Sequence, residues 1–452
     1  MNQIEKKVLK KITPTEEYRK KVNAVINDLE KKIKTEIKNK KIPADLALVG
    51  SIAKDTYLKN NMDIDLFICF PTNFKKNDIA KHARSIGKKI LKNTEESYSE
   101  HPYIRGYYKE FFVEIVPCYK IENASQKLSA VDRTPLHTEF IIKNISKKQK
   151  DDVRLFKQFL KGIECYGAEA QIQGFSGYLC EIIVLYYNNF QQIIKKGSSW
   201  KKQIQLSLNK NPIPKFSTPL VFIDPVDPSR NVASAVVEEK FELLIKAAKE
   251  YNKKASLNFF FPNPIKPWPI NKIKKEIHKQ NAKYIGIRFD EPNIIDENLY
   301  PQIRKAEKSI VNASKRNGFK IYDSNFFIDE KNKKTYIIIK TDKKDLSKTK
   351  IHLGPPNDLK ENVKSFKMKW KNNDRLVKFC IGKNDRINVE IKRKYRNIED
   401  FLKYKISDFS LGKDIDKAIK KGKIILREND LFKENLRIYW TEYLEDKMPW
   451  ER

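Results

Sequence analysis

The chain has 452 residues, too many for one hydrophobic core, so two to four domains are expected. Lysine plus arginine is 92 against 58 aspartate plus glutamate, a formal net charge of +34, and this predicts an anionic partner, nucleic acid first and an acidic membrane surface second. Cys69, Cys118, Cys165, Cys180 and Cys380 show no CxxC spacing, the histidines form no HExxH or HxH pair, and no apolar run reaches membrane-spanning length, which argues against a zinc site, a disulfide framework and a membrane span.

The first residues, MNQIEKKVLKKI, lack the apolar core of a signal peptide, and the expected setting is the reducing cytoplasm. Thr13-Pro14-Thr15-Glu16 has the form of a helix start, with Thr13 as N-cap, Pro14 at the first helical position and Glu16 closing a capping box. Val22, Ile26, Leu29, Ile33 and Ile37 then recur at helical steps, which predicts an amphipathic helix that ends near Pro43 and backs a sheet.

Leu46 to Val49 is an apolar run that stops at Gly50-Ser51, and Asp63-Ile64-Asp65-Leu66-Phe67 follows. This reads as a strand, a tight turn into a short helix, and a second strand. Glycine lets the backbone approach a ligand closely, and the free N–H groups of a helix start suit a phosphate. Side chains i and i+2 of a strand share a face, so Asp63 and Asp65 point together while Ile64 and Leu66 face the core. Two carboxylates on one face, opposite a phosphate-binding turn, can hold the two metal ions of an in-line phosphoryl displacement. A bare Asp-x-Asp is usually the solvated face of a hairpin; here the Gly-Ser turn, the spacing and the flanking strands coincide, which favours catalysis. The pattern resembles the polymerase-β-like nucleotidyltransferase superfamily.

Asn77 to Leu91 is predicted as a helix, with Ile79, Ala83, Ile86 and Ile90 on one face. Glu110 to Pro117 is a β-rich run in which Glu114 is an acid amid apolar residues. A charge in such a place is either an exposed edge residue or needs a partner or metal, and beside the first two acids it reads as a third metal ligand.

The resemblance sharpens in Glu114-Ile-Val-Pro-Cys-Tyr, Ala130-Val-Asp-Arg-Thr-Pro-Leu-His137, Arg154-Leu-Phe-Lys-Gln-Phe-Leu-Lys161, Tyr166-Gly-Ala-Glu and Gly174-Phe-Ser-Gly-Tyr-Leu-Cys-Glu181. It continues in Asp224-Pro-Val-Asp-Pro-Ser-Arg-Asn-Val-Ala233 and His352-Leu-Gly-Pro-Pro356. This set, which spans essentially the whole chain, resembles the archaeal-type (class I) CCA-adding enzymes. The resemblance implies an α+β protein with a polymerase-β-like nucleotidyltransferase head (residues 1–146), an all-helical central domain (147–262) and a C-terminal α+β, ferredoxin- or RRM-like, tRNA-binding region (263–452). It implies sequential addition of C, C and A to a tRNA 3′ end from CTP and ATP, with Asp63, Asp65 and Glu114 as catalytic residues holding Mg2+. Gly50, Ser51 and Lys54 are then expected at the triphosphate. Thr134, His137, Lys157, Tyr166 and, more weakly, His101 are carried over from the family's nucleotide pocket, and Arg230 reads the base together with the RNA. The expected partners are ATP, CTP and the acceptor stem and T arm of tRNA, with no membrane; a homodimer is left open. Lys54 stands where an arginine is common, and Asp63 and Glu114 swap which position carries the longer acid.

In the central segment, Val153, Phe156, Leu160 and Ile163 predict one helix, Phe175 to Ile194 a long apolar one, and Asn231 to Tyr251 another, with Arg230 at its entrance. After the proline-rich stretch at Asn263 to Pro269, Tyr284 to Phe289, Leu299 to Asn317, Phe319 to Phe327 and Lys334 to Lys340 read as β-α-β-β. Basic and aromatic residues interleave at Phe366 to Trp370 and Lys392 to Arg396, which suits RNA or, residue by residue, a solvated strand face. Two rival readings share these residues: a poly(A) polymerase or other terminal nucleotidyltransferase, and a non-catalytic RNA-binding protein. The intact acids and the Gly-Ser turn argue against the second.

Overall fold

The structure is a computed structural model that describes residues 1–59, 62–98, 102–209, 214–382 and 385–452. It contains two compact units, Met1–Pro264 with Lys447–Arg452, and Ile265–Asp446.

The first unit opens with helices α1 (Gln3–Ile12) and α2 (Glu16–Asn39). The expected start of α2 is shifted. Thr13 closes α1, its N–H donating to the Leu9 carbonyl, and Thr15 caps α2 by accepting from the Tyr18 N–H at 3.2 Å. The predicted apolar stripe is buried along α2, which ends at Asn39, before Pro43. There follow β1 (Asp45–Val49), the single-turn α3 (Gly50–Ala53), β2 (Asp63–Phe70), α4 (Lys76–Ile90), β3 (Lys92–Tyr98), β4 (Pro102–Tyr108) and β5 (Phe111–Tyr119). The strands form one sheet in the order β1-β2-β5-β4-β3, in which only β2 and β5 run parallel. Ile64, Leu66, Ile68 and Phe70 of β2 and Val113 and Ile115 of β5 pack under α2 and α4. Each such burial is worth about 1.5–3 kcal/mol relative to exposure. Because side chains alternate, the same strands turn Asp63, Asp65 and Glu114 to the other face.

Helices α5 (Arg133–Asn144), α6 (Lys147–Gly162), α7 (Gly177–Tyr187) and α8 (Phe190–Gly197) continue this unit, followed by β6 (Ile204–Ser207), β7 (Leu220–Ile223) and α9 (Glu238–Lys253). Three expectations are corrected. The long helix from Phe175 is two helices, because Asn188 turns left-handed (φ +73°) and Asn189 caps α8 by accepting from the Gln192 N–H at 2.9 Å. The central segment is not all-helical: β6 and β7 pair in parallel, β7 being a fully buried Leu-Val-Phe-Ile run just after Pro219. The helix expected from Asn231 begins only at Glu238. The Asn231 side chain accepts from the Phe222 and Ala233 N–H groups, each at 2.9 Å, so it holds an extended loop in place of a helical turn.

The second unit runs α10 (Ile270–Lys279), β8 (Lys283–Asp290), α11 (Asp296–Arg316), β9 (Ile321–Asp329), β10 (Lys334–Thr341), β11 (Thr349–Pro356), α12 (Lys360–Lys371), β12 (Leu376–Ile381), β13 (Arg386–Lys392), α13 (Ile398–Lys405), α14 (Lys413–Gly422), β14 (Ile424–Leu426) and α15 (Arg437–Glu445). The predicted β-α-β-β order is present, and β14 joins it to give the antiparallel order β14-β8-β10-β9 of a ferredoxin-like sheet. A second sheet, β11-β13-β12, is inserted in its chain path. Phe366 and Trp370 lie on α12, not on a strand, and pack around His352. Among the described residues no helix is long and apolar enough to cross a membrane.

Candidate active site

The site is built on the parallel pair. Asp65 of β2 is in register with Glu114 of β5, and Asp63, opposite Phe112, lies two residues earlier on the same face. Asp63 is exposed and the other two are half-buried. Burial raises all three carboxyls above their ordinary range. Asp65 is pushed up to about 7, first by burial and then by the charges of Glu114 and Asp63. Glu114 is raised by burial and then by Asp63, with Arg105 opposing; for Asp63, Lys161 on α6 opposes. Three like charges on one face therefore call for a cation. Among the described residues no three His, Cys, Asp or Glu side chains converge as tightly as ligands around an ion.

Gly50 ends β1 at φ +74°, and a Cβ at that position would overlap Oδ2 of Asp65. The turn thus brings bare backbone onto the central carboxylate. Ser51 follows on α3, half-buried.

Lys54 closes α3 but does not point to open solvent. Its Nζ donates to Oε2 of Glu181 at 2.5 Å, and both side chains are buried. Oε1 of Glu181 accepts from the Thr56 hydroxyl at 2.5 Å and from Lys157 Nζ at 3.1 Å. Lys157 also donates to the carbonyl and hydroxyl oxygens of Thr56, at 3.3 and 3.1 Å. One carboxylate of α7 thereby joins both lysines expected at the nucleotide. The backbone at Tyr166 lies beside Phe175, and a Cβ at Gly177 would sit 3.2 Å from the Tyr166 hydroxyl and 3.6 Å from Lys157 Nζ, so Tyr166 and Lys157 adjoin. Arg154, fully buried on α6, fixes the turn after Lys54 by donating to the carbonyls of Tyr57 (3.1 Å) and Asp55 (2.6 Å).

His137 and Arg230 meet at a second buried acid. His137 Nε2 lies 2.8 Å from Oδ2 of Asp224, which also accepts from Arg230 Nη1 at 3.0 Å, while Oδ1 accepts from the Tyr178 hydroxyl at 3.2 Å. The His137 ring stacks on Tyr178 with centroids 4.1 Å apart. Burial pulls the His137 pKa down, and these partners hold Asp224 below the ordinary carboxylate range. Arg230 is in the loop before Asn231, not at a helix entrance. Thr134 lies one turn before His137 on α5, its carbonyl accepting from Thr138. His101 lies outside the described residues.

Glu181, Asp224 and Thr56 were not singled out from the sequence. Glu181 carries the signal that marked Glu114, a lone acid in an apolar run (Leu179-Cys-Glu-Ile-Ile-Val184). Lys161, whose charge opposes the raised pKa of Asp63, carries no such signal.

A Gly turn facing paired acids on neighbouring strands, with buried lysines beside them, defines a nucleotidyltransferase. Three family models match in chain order: the nucleotidyltransferase domain over residues 30–137, the second domain of tRNA nucleotidyltransferases over 151–261, and the C-terminal domain of CCA-adding enzymes over 280–428. The CCA-adding enzyme of Methanosarcina mazei is 34% identical over 92% of this chain and 91% of its own. That of Picrophilus torridus is 35% identical over 94% and 95%. The chain belongs to the CCA-adding enzyme family. Among solved structures, the Cid1 poly(U) polymerase is 13% identical over 56% of this chain and 94% of its own, with a TM-score of 0.45.

Proposed function

We infer that this protein matures and repairs tRNA 3′ ends by adding C, C and A in turn from CTP and ATP, with release of pyrophosphate. Family membership supports the reaction. The observation that carries the site is the facing pair Asp65 and Glu114 over the Gly50 turn. In this reading residues 1–146 form the catalytic head, 147–262 the central domain and 263–452 the region that grips the acceptor stem and T arm. Double-stranded RNA is gripped by shape and phosphates, which a strongly basic chain suits. The setting is the cytoplasm.

Asp63, Asp65 and Glu114 would hold two Mg2+ ions, which their shared face and mutual repulsion fit. When bound, the metal supplies Lewis-acid stabilisation of the α-phosphate and leaving group and makes the attacking hydroxyl more acidic. The tRNA 3′ hydroxyl attacks the α-phosphate, a phosphodiester forms, and the bond to the β-phosphate breaks. Gly50 leaves room for the phosphates, and Ser51 and Lys54 bind the triphosphate. Lys157 adds positive charge, and Tyr166 a hydroxyl for phosphate or ribose. His137 and Thr134 line the nucleotide pocket. Arg230, held by Asp224, presents a guanidinium to the incoming base.

The test is a gel assay with Mg2+ and a tRNA transcript lacking its CCA. CTP alone should give two additions, and ATP should then give one and stop. A long A ladder on any RNA would assign a poly(A) polymerase instead, and tight, salt-dependent tRNA binding without extension a non-catalytic protein.

A further inference from the structure

Lys54 and Lys157, the two lysines expected at the nucleotide, share a counter-ion that neither needs in water. Glu181 is fully buried with both oxygens engaged: Oε2 takes Lys54, and Oε1 takes Thr56 and Lys157. Lys157 places all three of its N–H groups, on Glu181 and on two oxygens of Thr56. Among the described residues Lys54 donates a hydrogen bond to Glu181 alone, which leaves two N–H groups for a ligand. A buried carboxylate with this many donors fixes the position of the groups that bind it.

Resting on the function inferred above, we propose that Glu181 is a positioning residue, which holds the Lys54 ammonium charged and in place for the triphosphate of CTP and ATP. The groups that face Lys54 are Glu181 and the Tyr178 ring from α7, Lys157 from α6 and Asp65 from β2. Burial and Lys157 push the Lys54 ammonium toward losing its proton, and Glu181 is the main group that opposes them. An arginine at this position would need no such support, because its guanidinium stays ionised. A lysine does need it.

The experiment measures the Kd for CTP and for ATP by calorimetry, and kcat for tRNA extension, on the full chain between about pH 7 and about pH 9. Wild type should bind with a Kd that changes less than about twofold over this range. Glu181→Gln should bind both nucleotides about tenfold more weakly at the alkaline end, and near normally at the neutral end. Adding Lys54→Arg to Glu181→Gln should flatten the profile again. A merely structural role would lower the melting temperature without a pH-dependent Kd that a permanent cation repairs. A flat Glu181→Gln profile, or a double variant that keeps the slope, overturns the proposal. If Glu181→Gln does not fold, Thr56→Val, which strips one donor from Oε1 and leaves the charges, should weaken both nucleotides about threefold; unchanged binding would equally overturn it. Asp65 is common to every protein compared, so its contribution cancels between them at each pH. Wild type that neither binds CTP nor extends tRNA defeats the functional reading itself; working wild type with a flat variant defeats only the role of Glu181.

Discussion

Asp65 on β2 and Glu114 on β5 stand opposite each other in the parallel register of the head sheet, and neither has an ion-pair partner among the described residues. The charges of Glu114 and Asp63 raise the cost of ionising Asp65, and Asp63 raises that of ionising Glu114. Asp65→Asn removes one charge with little change of shape. The metal-free protein should melt at a higher temperature than wild type at neutral pH, because repulsion is relieved. Nucleotide addition should fall about a hundredfold or more, with tRNA affinity unchanged. Normal turnover in this variant would refute the metal assignment.

The same pair sets a pH window. Asp65 titrates at about 7 in the folded protein, above its ordinary range. The fold therefore binds this proton more tightly than the unfolded chain does. Without divalent metal, its contribution to stability is complete below the ordinary aspartate pKa and is lost as pH rises toward about 7. Metal requires the deprotonated carboxylate, so Mg2+ affinity should climb up to about tenfold per pH unit below about 7 and level off above it. Melting curves of chelator-treated protein and Mg2+ titrations across this range check both slopes.

Sequence reading located the acids because a strand's period of two is rigid: Asp63 and Asp65 share a face wherever the strand goes. The stripe from Val22 to Ile37 was legible for the same reason at helical period. Asn188 and Asn231 were not legible, since each acts through its own backbone or side-chain geometry, a left turn in one case and a pair of accepted N–H bonds in the other. Glu181 and Asp224 escaped because their importance lies in partners far away in sequence, Lys54 and His137 respectively. Spacing alone cannot show that a buried acid gathers hydrogen-bonding partners from distant elements.

At Gly50 a positive φ coincides with a close approach to the carboxylate of Asp65. Gly50→Ala would strain the turn by about 1–2 kcal/mol and push against Oδ2 of Asp65. Addition should drop about a hundredfold while the melting temperature falls only a few degrees, about what the strain predicts. Comparing kcat with thermal melting separates the two effects. Activity near wild type would mean that Asp65 can move aside without loss of function.

Asp224 carries the last test, because it holds His137, Tyr178 and Arg230 at once. Asp224→Asn keeps the size of the side chain but removes the anion that anchors His137 and Arg230, both proposed above for the nucleotide pocket. Leaving Arg230 half-buried without its partner destabilises the fold by about 3 kcal/mol, which thermal melting reads. If Arg230 reads the base, its release should loosen the choice of nucleotide more than the grip on triphosphate. Incorporation of UTP or GTP should rise about tenfold relative to CTP, while CTP binding weakens much less. The checking measurement is competition between CTP and UTP on a tRNA lacking its CCA, with the Kd for CTP taken on the same protein. Unchanged discrimination in a folded variant would separate the Asp224 cluster from base selection and leave it a structural tie between α5, α7 and the Arg230 loop.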